Sequence, residues 1–250
     1  MESDEYVKLA QVEDRMWYFR CLHGRLYDAV RQGLGSRSAP QVLDAGCGTG
    51  GFLQRLKEWQ PDWQLTGVDN SPVACALARR RGCTVLEGSI TALPFADGQF
   101  DAIVCGDVLY HIVEYAEALC ELRRCLRPSG VIAINVPAYR WLWSYHDERV
   151  QSKHRFTRGE VVKLLVSAGL RPIFSTYWNT LPFPLVVLRR KVFPPRVQES
   201  DVKLSSPPVE AVFNGAMAVE RAWNRLGGVL PFGSSVFAVA GKEASPATRM

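Results

Sequence analysis

The sequence predicts an α/β protein built on a doubly wound, mostly parallel sheet of seven strands. Three observations carry this reading. Strands and helices alternate along most of the chain. A strand tip at Asp44-Ala45 runs into a glycine-rich loop and then into a helix. The segment Phe100 to Cys105 is apolar enough to be a strand buried on both faces.

The elements follow in order. Tyr6 to about Leu34 has a helical pattern, broken near Trp17-Tyr18-Phe19, and Gly33, Gly35, Ser36 and Pro40 mark the loop after it. Gln41 to Ala45 is the first strand. Phe52 to Trp59 is a helix with Phe52, Leu53 and Leu56 on one face. Trp63 to Val68 is the second strand, closed by Asp69. Ser71-Pro72 starts the next helix, since Ser caps free amides and Pro suits a first turn; Gly82 stops it. Cys83 to Leu86 and Phe100 to Cys105 are the third and fourth strands. Glu114 to Leu126 is a helix with Leu119, Leu122 and Leu126 at helical spacing, and Pro128-Ser129-Gly130 turns the chain into a fifth strand, Val131 to Val136.

Regularity weakens after Pro137. Ala138 to Phe156 is rich in Trp, Tyr, His and Arg. Thr157 with Glu160 forms a capping box for a helix ended by Gly169. Ile173 to Tyr177 is the sixth strand. Leu181 to Pro195 is apolar and broken by prolines, Ser205-Ser206-Pro207-Pro208 reads as a linker, Val209 to Leu226 as a helix, and Ser235 to Ala240 as the last strand. The tail after it is expected to be loose. The domain reading is therefore a helical cap over 1–36, a core over 37–180 and 229–242, and an inserted lid over 181–228.

Composition narrows the function classes. Hydrophobic residues make up 47% of the 250 and charged residues 22%, enough apolar content for a packed core. The net charge of +5 is spread rather than gathered in a stripe, which argues against a nucleic-acid partner. The seven cysteines are odd in number and contain no C-x-x-C, so neither a zinc site nor a disulfide framework is expected. The acidic start Met1-Glu2-Ser3-Asp4-Glu5 lacks the pattern of a signal peptide, and no apolar run approaches a membrane span, so a cytoplasmic protein is expected.

Gly46, Gly48 and Gly51 satisfy G-x-G-x-x-G, with Gly50 as an extra glycine. Such a loop lets a ligand approach the backbone and offers it a helix's free amides; Asp69, about 20 residues on, can take ribose hydroxyls. This much admits NAD as readily as S-adenosylmethionine. Asp44 separates them. A dinucleotide seats a pyrophosphate near it, which a carboxylate repels, whereas the ammonium and sulfonium of S-adenosylmethionine are attracted to one. The plainer reading of Asp44 is a turn or capping residue.

These residues resemble the class I S-adenosylmethionine-dependent methyltransferases, over about residues 40 to 136. Val42 to Gly50 is similar to the family's first motif, Gly67 to Pro72 to its acidic second strand end, and Glu87 to Phe95 to its adenine-side loop, where Ser89 stands in place of the frequent Asp. Phe100 to Val104 and Leu126 to Gly130 resemble the fourth strand and the turn before the fifth. The resemblance implies an open sheet whose last strand is antiparallel, and S-adenosyl-L-methionine as cofactor. It also implies a set of contacts: Asp44 and the amides around Gly46, Gly48 and Gly50 at the methionine part, Asp69 at ribose, Asn70, Ile90 and Ser89 at adenine, and Gly106 and Asp107 at the methyl-donor pocket. The segment Glu13 to Arg20 is similar to an N-terminal helix of some members. It suggests Trp17 near the sulfonium and Arg20 at the methionine carboxylate, or plain packing onto the sheet.

The acceptor is less legible. Gly106 to His111 lacks the prolines of nucleobase amino-methylating enzymes, which points to the small-molecule branch. His111 at the mouth of the site and His146, oriented by Asp147, are candidate bases; either histidine would serve equally well as a loop contact. Tyr110, Trp141, Trp143 and Tyr145 suggest a small, partly apolar or aromatic acceptor methylated on oxygen or nitrogen. Pro182 to Leu188, followed by Arg189-Arg190-Lys191, would cap the acceptor, touch a membrane surface, form a homodimer face, or simply pack. Two other functions fit less well: an NAD(P)-dependent dehydrogenase, and a non-catalytic S-adenosylmethionine-binding partner protein.

Overall fold

The computed structural model describes residues 3–194 and 201–243. Seven strands form one sheet: β1 (Gln41–Ala45), β2 (Gln64–Asp69), β3 (Val85–Glu87), β4 (Phe100–Gly106), β5 (Leu126–Pro137), β6 (Arg171–Trp178) and β7 (Ser235–Gly241). Their order is β3-β2-β1-β4-β5-β7-β6. β1 to β5 are parallel, and β7 runs antiparallel between β5 and β6. The expected doubly wound, mostly parallel sheet is present, antiparallel last strand included.

Strand alternation sorts side chains between two layers. Leu43, Ile103, Cys105, Ile132 and Ile134 face α5 (Tyr115–Cys125) and α7 (Arg158–Ser167). Val42, Ala102, Val104, Val131 and Ala133 face α2 (Trp17–Leu34) and Phe52 and Leu56 of α3 (Gly51–Trp59). The same alternation turns Asn135 of β5 toward α2, two residues beyond Ala133, which becomes important at the site. Around the edge near β3, Cys75 and Ala78 of α4 (Pro72–Arg80) pack on Val85, Cys47 and Leu53.

Several boundaries differ from expectation for identifiable reasons. The N-terminal helical pattern breaks earlier, between α1 (Ser3–Val12) and α2, where Met16 is extended. Trp17 then opens α2, its backbone N–H donating to Glu210 Oε2 at 2.6 Å. α1 packs on α4 with Leu9 beside Gly48, whereas α2 packs against β4 and β5. Pro128-Ser129-Gly130 does not separate a turn from a strand. β5 runs on from Leu126 with a register irregularity opposite Phe100, and Ser129 takes a left-handed φ of 60°. Pro207 and Pro208, expected in a linker, instead open α9 (Pro207–Arg225), because a first turn has no use for the N–H that proline lacks.

Between β6 and β7 the inserted segment carries α8 (Phe183–Val187), a π-helical turn over Leu188–Val192, and α9. α9 packs on α2 and is pinned by ions: Arg221 and Arg225 both pair with Asp28, and Arg25 lies 3.6 Å from Glu220 in a buried pair. A short α6 (Tyr145–Arg149) follows β5. No described helix is long and apolar enough to cross a membrane. The tail expected to be loose lies outside the described residues from Ala244 on, and so does Pro195 at the end of the apolar segment.

Candidate functional site

A cavity of about 1070 Å³ opens at the carboxyl ends of β1, β2 and β4 and extends beneath the inserted segment. Its floor is the glycine loop. Gly46 has φ 81°, and a Cβ there would lie 2.3 Å from Val108 Cγ2, so only glycine fits between the first loop and the one after β4. The Gly46 and Cys47 amides both donate to the Val68 carbonyl, at 2.7 and 3.0 Å. Asp69 ties the loop to β2: its Oδ2 accepts from the Gly48 N–H and its Oδ1 from the Ser71 N–H, both at 2.9 Å. Ser71 in turn caps α4.

Three carboxyl groups share this end of the cavity: Glu13, Asp44 and Asp69. Burial pushes Asp44 up to about 8, helped by the nearby Asp69 and Glu13 charges. No hydrogen bond or ion pair to its carboxylate occurs among the described residues. Glu13 is pushed up to about 7 by burial, against the hydrogen bond it accepts from Thr49 and the Arg81 guanidinium 2.8 Å away. Asp69 is also raised, burial outweighing the amides that hold it. An acidic, dehydrated wall of this kind favours a cation beside it and repels an anion.

Past β4 a chain of hydrogen bonds crosses the cavity floor. Trp178 Nε1 donates to Asn135 Oδ1 at 2.7 Å, Asn135 Nδ2 to Asp107 Oδ1 at 2.7 Å, and the Tyr18 hydroxyl to Asp107 Oδ2 at 2.7 Å. Asp107 sits at φ 59°, a left-handed conformation held by these partners. Its carboxyl is raised to about 6 by burial, with Tyr18 and Asn135 pulling the other way.

The wall beyond β5 is made differently. Arg155 meets Asp147 through Nε–Oδ1 at 2.6 Å and Nη2–Oδ2 at 3.1 Å, both residues being fully buried. His111 and His146 line the cavity and are each held down at about 4, mainly by burial, so both imidazoles are neutral at pH 7. His111 Nδ1 is buried without a partner. His146 Nδ1 accepts from the Asp201 N–H at 3.0 Å.

Residues 43–134 match the family model described as a methyltransferase domain. The chain is 32% identical over 171 residues to the malonyl-[acyl-carrier protein] O-methyltransferase of Enterobacter lignolyticus, covering 65% of this chain and 66% of that one. It is 39% identical over 104 residues to the demethylmenaquinone methyltransferase of Thermus thermophilus, covering 39% of this chain and 47% of that one. It thus spans under two thirds of either relative. The solved structure of geranyl diphosphate C-methyltransferase from Streptomyces coelicolor, with geranyl diphosphate and S-adenosyl-L-homocysteine, shares the fold with a TM-score of 0.60 at 17% identity, over 88% of this chain and 78% of that one.

The chain belongs to the class I S-adenosylmethionine-dependent methyltransferases.

In this chain the cavity brings together most of the residues singled out from sequence. Trp17, Asp44, Gly46, Gly48, Asp69, Asn70, Ser89, Ile90, Gly106, Asp107, Tyr110, His111 and His146 all line it. Five expected residues do not. Arg20 is exposed on the far side of α2 from the cavity-lining Phe19 and Leu22. Gly50, where a Cβ would lie 2.9 Å from Ala78 Cβ of α4, serves as the left-handed N-cap of α3. Trp141 is 53% exposed and stacks on Tyr139, and Trp143 donates its ring N–H to Glu148 at 2.5 Å. Tyr145 stands behind the wall with its hydroxyl on Asp201. The expectation that Asp147 orients His146 also fails: Asp147 spends both oxygens on Arg155 and on the amide and hydroxyl of Ser144. With Nδ1 accepting, neutral His146 carries its proton on Nε2 and is a donor there rather than a base. We expect Arg20→Ala to change S-adenosylhomocysteine affinity less than about twofold by calorimetry, because an exposed side chain outside the cavity contributes little.

Not legible in the sequence were the cavity-lining Glu13, Tyr6, Tyr18 and His23, the support that Asn135 gives Asp107 from behind, and the extent to which the insertion roofs the cavity through Leu185, Leu188, Val209 and Phe213. For Glu13 a signal existed: it is the first residue of the segment compared with the family's N-terminal helix.

Proposed function

We propose that the protein binds S-adenosylmethionine at the glycine-loop end of the cavity and passes its methyl group to a small, partly apolar acceptor beneath the insertion. The observation that carries this reading is Asp44, a buried carboxyl without a partner, flanked by Glu13 and Asp69. Such a wall suits an ammonium and a sulfonium and is unsuited to the pyrophosphate of a dinucleotide. When bound, S-adenosylmethionine supplies a methyl group already activated by its positively charged sulfur.

The residues then have distinct tasks. Asp44 and the amides around Gly46 and Gly48 hold the methionine part, and Asp69 accepts from ribose hydroxyls. Ile90 and Asn70 flank adenine, with the Ser89 hydroxyl, here shared with Thr91, beside it. Asp107, fixed by Tyr18 and Asn135, shapes the floor between donor and acceptor. Trp17, stacked on Phe213 at 4.9 Å, joins α2 to the roof and keeps water out. Alignment and dehydration carry much of a displacement at an activated carbon. Where the acceptor must lose a proton from oxygen or nitrogen, the unpaired, neutral Nδ1 of His111 can take it. The insertion over the cavity and its apolar roof support a small-molecule acceptor.

Calorimetry with S-adenosylhomocysteine and with NAD tests the donor: binding of the first and not the second is expected, and the reverse would overturn the reading. For the base, His111→Gln should lower methyl transfer from labelled S-adenosylmethionine at least ~10-fold without weakening S-adenosylhomocysteine binding. Demethylmenaquinone and malonyl-[acyl-carrier protein], named in the relatives, are the trial acceptors. Unchanged transfer would remove His111 from the chemistry.

A further inference from the structure

The cavity is electrically two-ended. Its donor end, over β2 and β1, carries Glu13, Asp44 and Asp69. Its other end, beyond β5, carries Arg155, Arg189, Arg190 and Lys203 against Asp147 and Asp201, with Glu5, paired to Arg149 of α6, lining the cavity beside it. β1 and β5 are separated by β4 alone, so strand spacing places these ends roughly 10 Å apart or more.

At the second end the ions sort into two groups. Arg155 and Asp147 neutralise one another in a bidentate, fully buried pair belonging to the core. Asp201 belongs to the insertion and is gripped from several sides. Arg190 Nη2 donates to its Oδ2 at 3.0 Å, the Tyr145 hydroxyl donates to its Oδ1 at 2.9 Å, and Arg189 Nε lies 3.4 Å from that same oxygen. Among the described residues two guanidinium groups thus face the one Asp201 carboxylate. Arg190 is only 11% exposed and lies 3.9 Å from Asp147, whose charge Arg155 already meets. The arrangement is the one that planar guanidinium groups make around a carboxylate or phosphate.

We infer that Arg189 and Arg190 form an anion subsite at the acceptor end of the cavity, backed from behind the wall by the Tyr145 hydroxyl, in which the Asp201 carboxylate holds the place of an acidic group on the acceptor. This rests on the methyltransferase reading and refines it: the acceptor is an amphiphilic acid, its carboxylate or phosphate in the arginine cage and its apolar body under Leu185 and Leu188. Arrival of the ligand's anion displaces the Asp201 carboxylate from the two guanidinium groups. His146, which accepts from the Asp201 amide, keeps that backbone close during the exchange.

Three ten-carbon probes test this on protein saturated with S-adenosylhomocysteine: decanoate, decyl phosphate and decanol, each kept below its micelle concentration. Binding is read by calorimetry. At least one of the two anions is expected to bind ~10-fold or more tightly than decanol, and the better anion tells carboxylate from phosphate. Arg190→Gln should abolish the preference and change S-adenosylhomocysteine affinity less than twofold, while Asp201→Asn should tighten the anion several-fold by removing its competitor. Arg189→Gln, at a more exposed position, repeats the test if Arg190→Gln fails to fold. Equal binding of the three probes, or an undiminished preference in both arginine variants, would overturn the subsite. Loss of S-adenosylhomocysteine binding itself would count against the donor reading, and the probes then report on the subsite alone.

Discussion

Asp44→Asn is expected to weaken S-adenosylmethionine binding at neutral pH by ~100-fold or more while making the ligand-free protein more stable. The two effects have one cause. Asp44 is 5% exposed and faces Glu13 and Asp69, with no cation paired to it among the described residues, so its charge is unfavourable until a positive ligand arrives. Losing one member of a buried charge pair typically costs about 2–5 kcal/mol, and ~3 kcal/mol is roughly 100-fold in affinity. Asn keeps the shape and the hydrogen-bonding capacity, so the loss reports charge rather than a cavity. Calorimetry of binding and thermal melting of the ligand-free protein read the two signs separately. A variant that binds normally would show that the acidic wall does not recognise the donor.

The same residue makes binding depend on pH in a defined direction. With its carboxyl held up at about 8, ligand-free Asp44 is mostly protonated at pH 7. A cation beside it favours the ionised form, so binding expels a proton, and affinity should rise between pH 6 and 8 by up to ~10-fold per unit. Titrations in buffers of different ionisation enthalpy reveal that proton. For stability the direction is opposite. A carboxyl whose folded pKa lies above its unfolded value of 3.8 retains its proton in the folded state. Its contribution is full below pH 4 and is lost as pH rises through about 8. Asp44→Asn removes that loss, and the melting temperature of the variant should exceed that of the wild type most clearly near pH 8. Each 1 kcal/mol regained is ~2–4 °C in a chain of this size. Glu13, held at about 7 beside the same wall, adds to the trend in the wild type.

What the sequence made legible was whatever short-range physics dictates. The strand tip Asp44, the glycines that only fit with positive φ, Asp69 and the Ser71 cap lie within a few tens of residues and act through the backbone. The mostly parallel, doubly wound sheet followed because strand–helix alternation leaves few topologies open. The opposite was true of the acceptor end. The bond from Tyr18 to Asp107 spans 89 positions and that from Asn135 to Tyr18 spans 117, and no local pattern announces either. The aromatic run Trp141-Leu142-Trp143-Ser144-Tyr145 looked like a pocket lining because aromatic side chains suit one. In the fold a helical turn over Arg140–Leu142 buries Leu142 instead, leaves Trp141 in solvent and sends Tyr145 behind the wall. Arg20 is misjudged for a related reason: a helix turns 100° per residue, and one position separates the cavity face from the solvent face.

Trp178→Ala is expected to cost about 3–5 kcal/mol, the usual range for emptying a fully buried large side chain, and to lower the melting temperature by roughly 6–20 °C. Trp178 is 0% exposed at the end of β6 and holds three elements together. Its ring stacks on Tyr18 of α2 at 5.3 Å, lies 5.0 Å from the Arg25 guanidinium, and gives its N–H to Asn135 of β5. Arg25 is the partner of Glu220 on α9, so the ring also braces the buried ion pair that pins the insertion. Trp178→Phe separates packing from hydrogen bonding. It keeps most of the volume and leaves Asn135 Oδ1 without its donor, a loss of about 1–3 kcal/mol. Denaturant titration should show both variants with lower midpoints at an unchanged slope. The functional consequence is specific. With its donor gone Asn135 is free to rotate, Asp107 loses one of the two bonds that restrain its pKa near 6, and its carboxyl should move upward. Trp178→Phe therefore shifts the acid limb of methyl transfer to higher pH even where the protein remains folded. An unshifted pH profile would confine Trp178 to holding the fold.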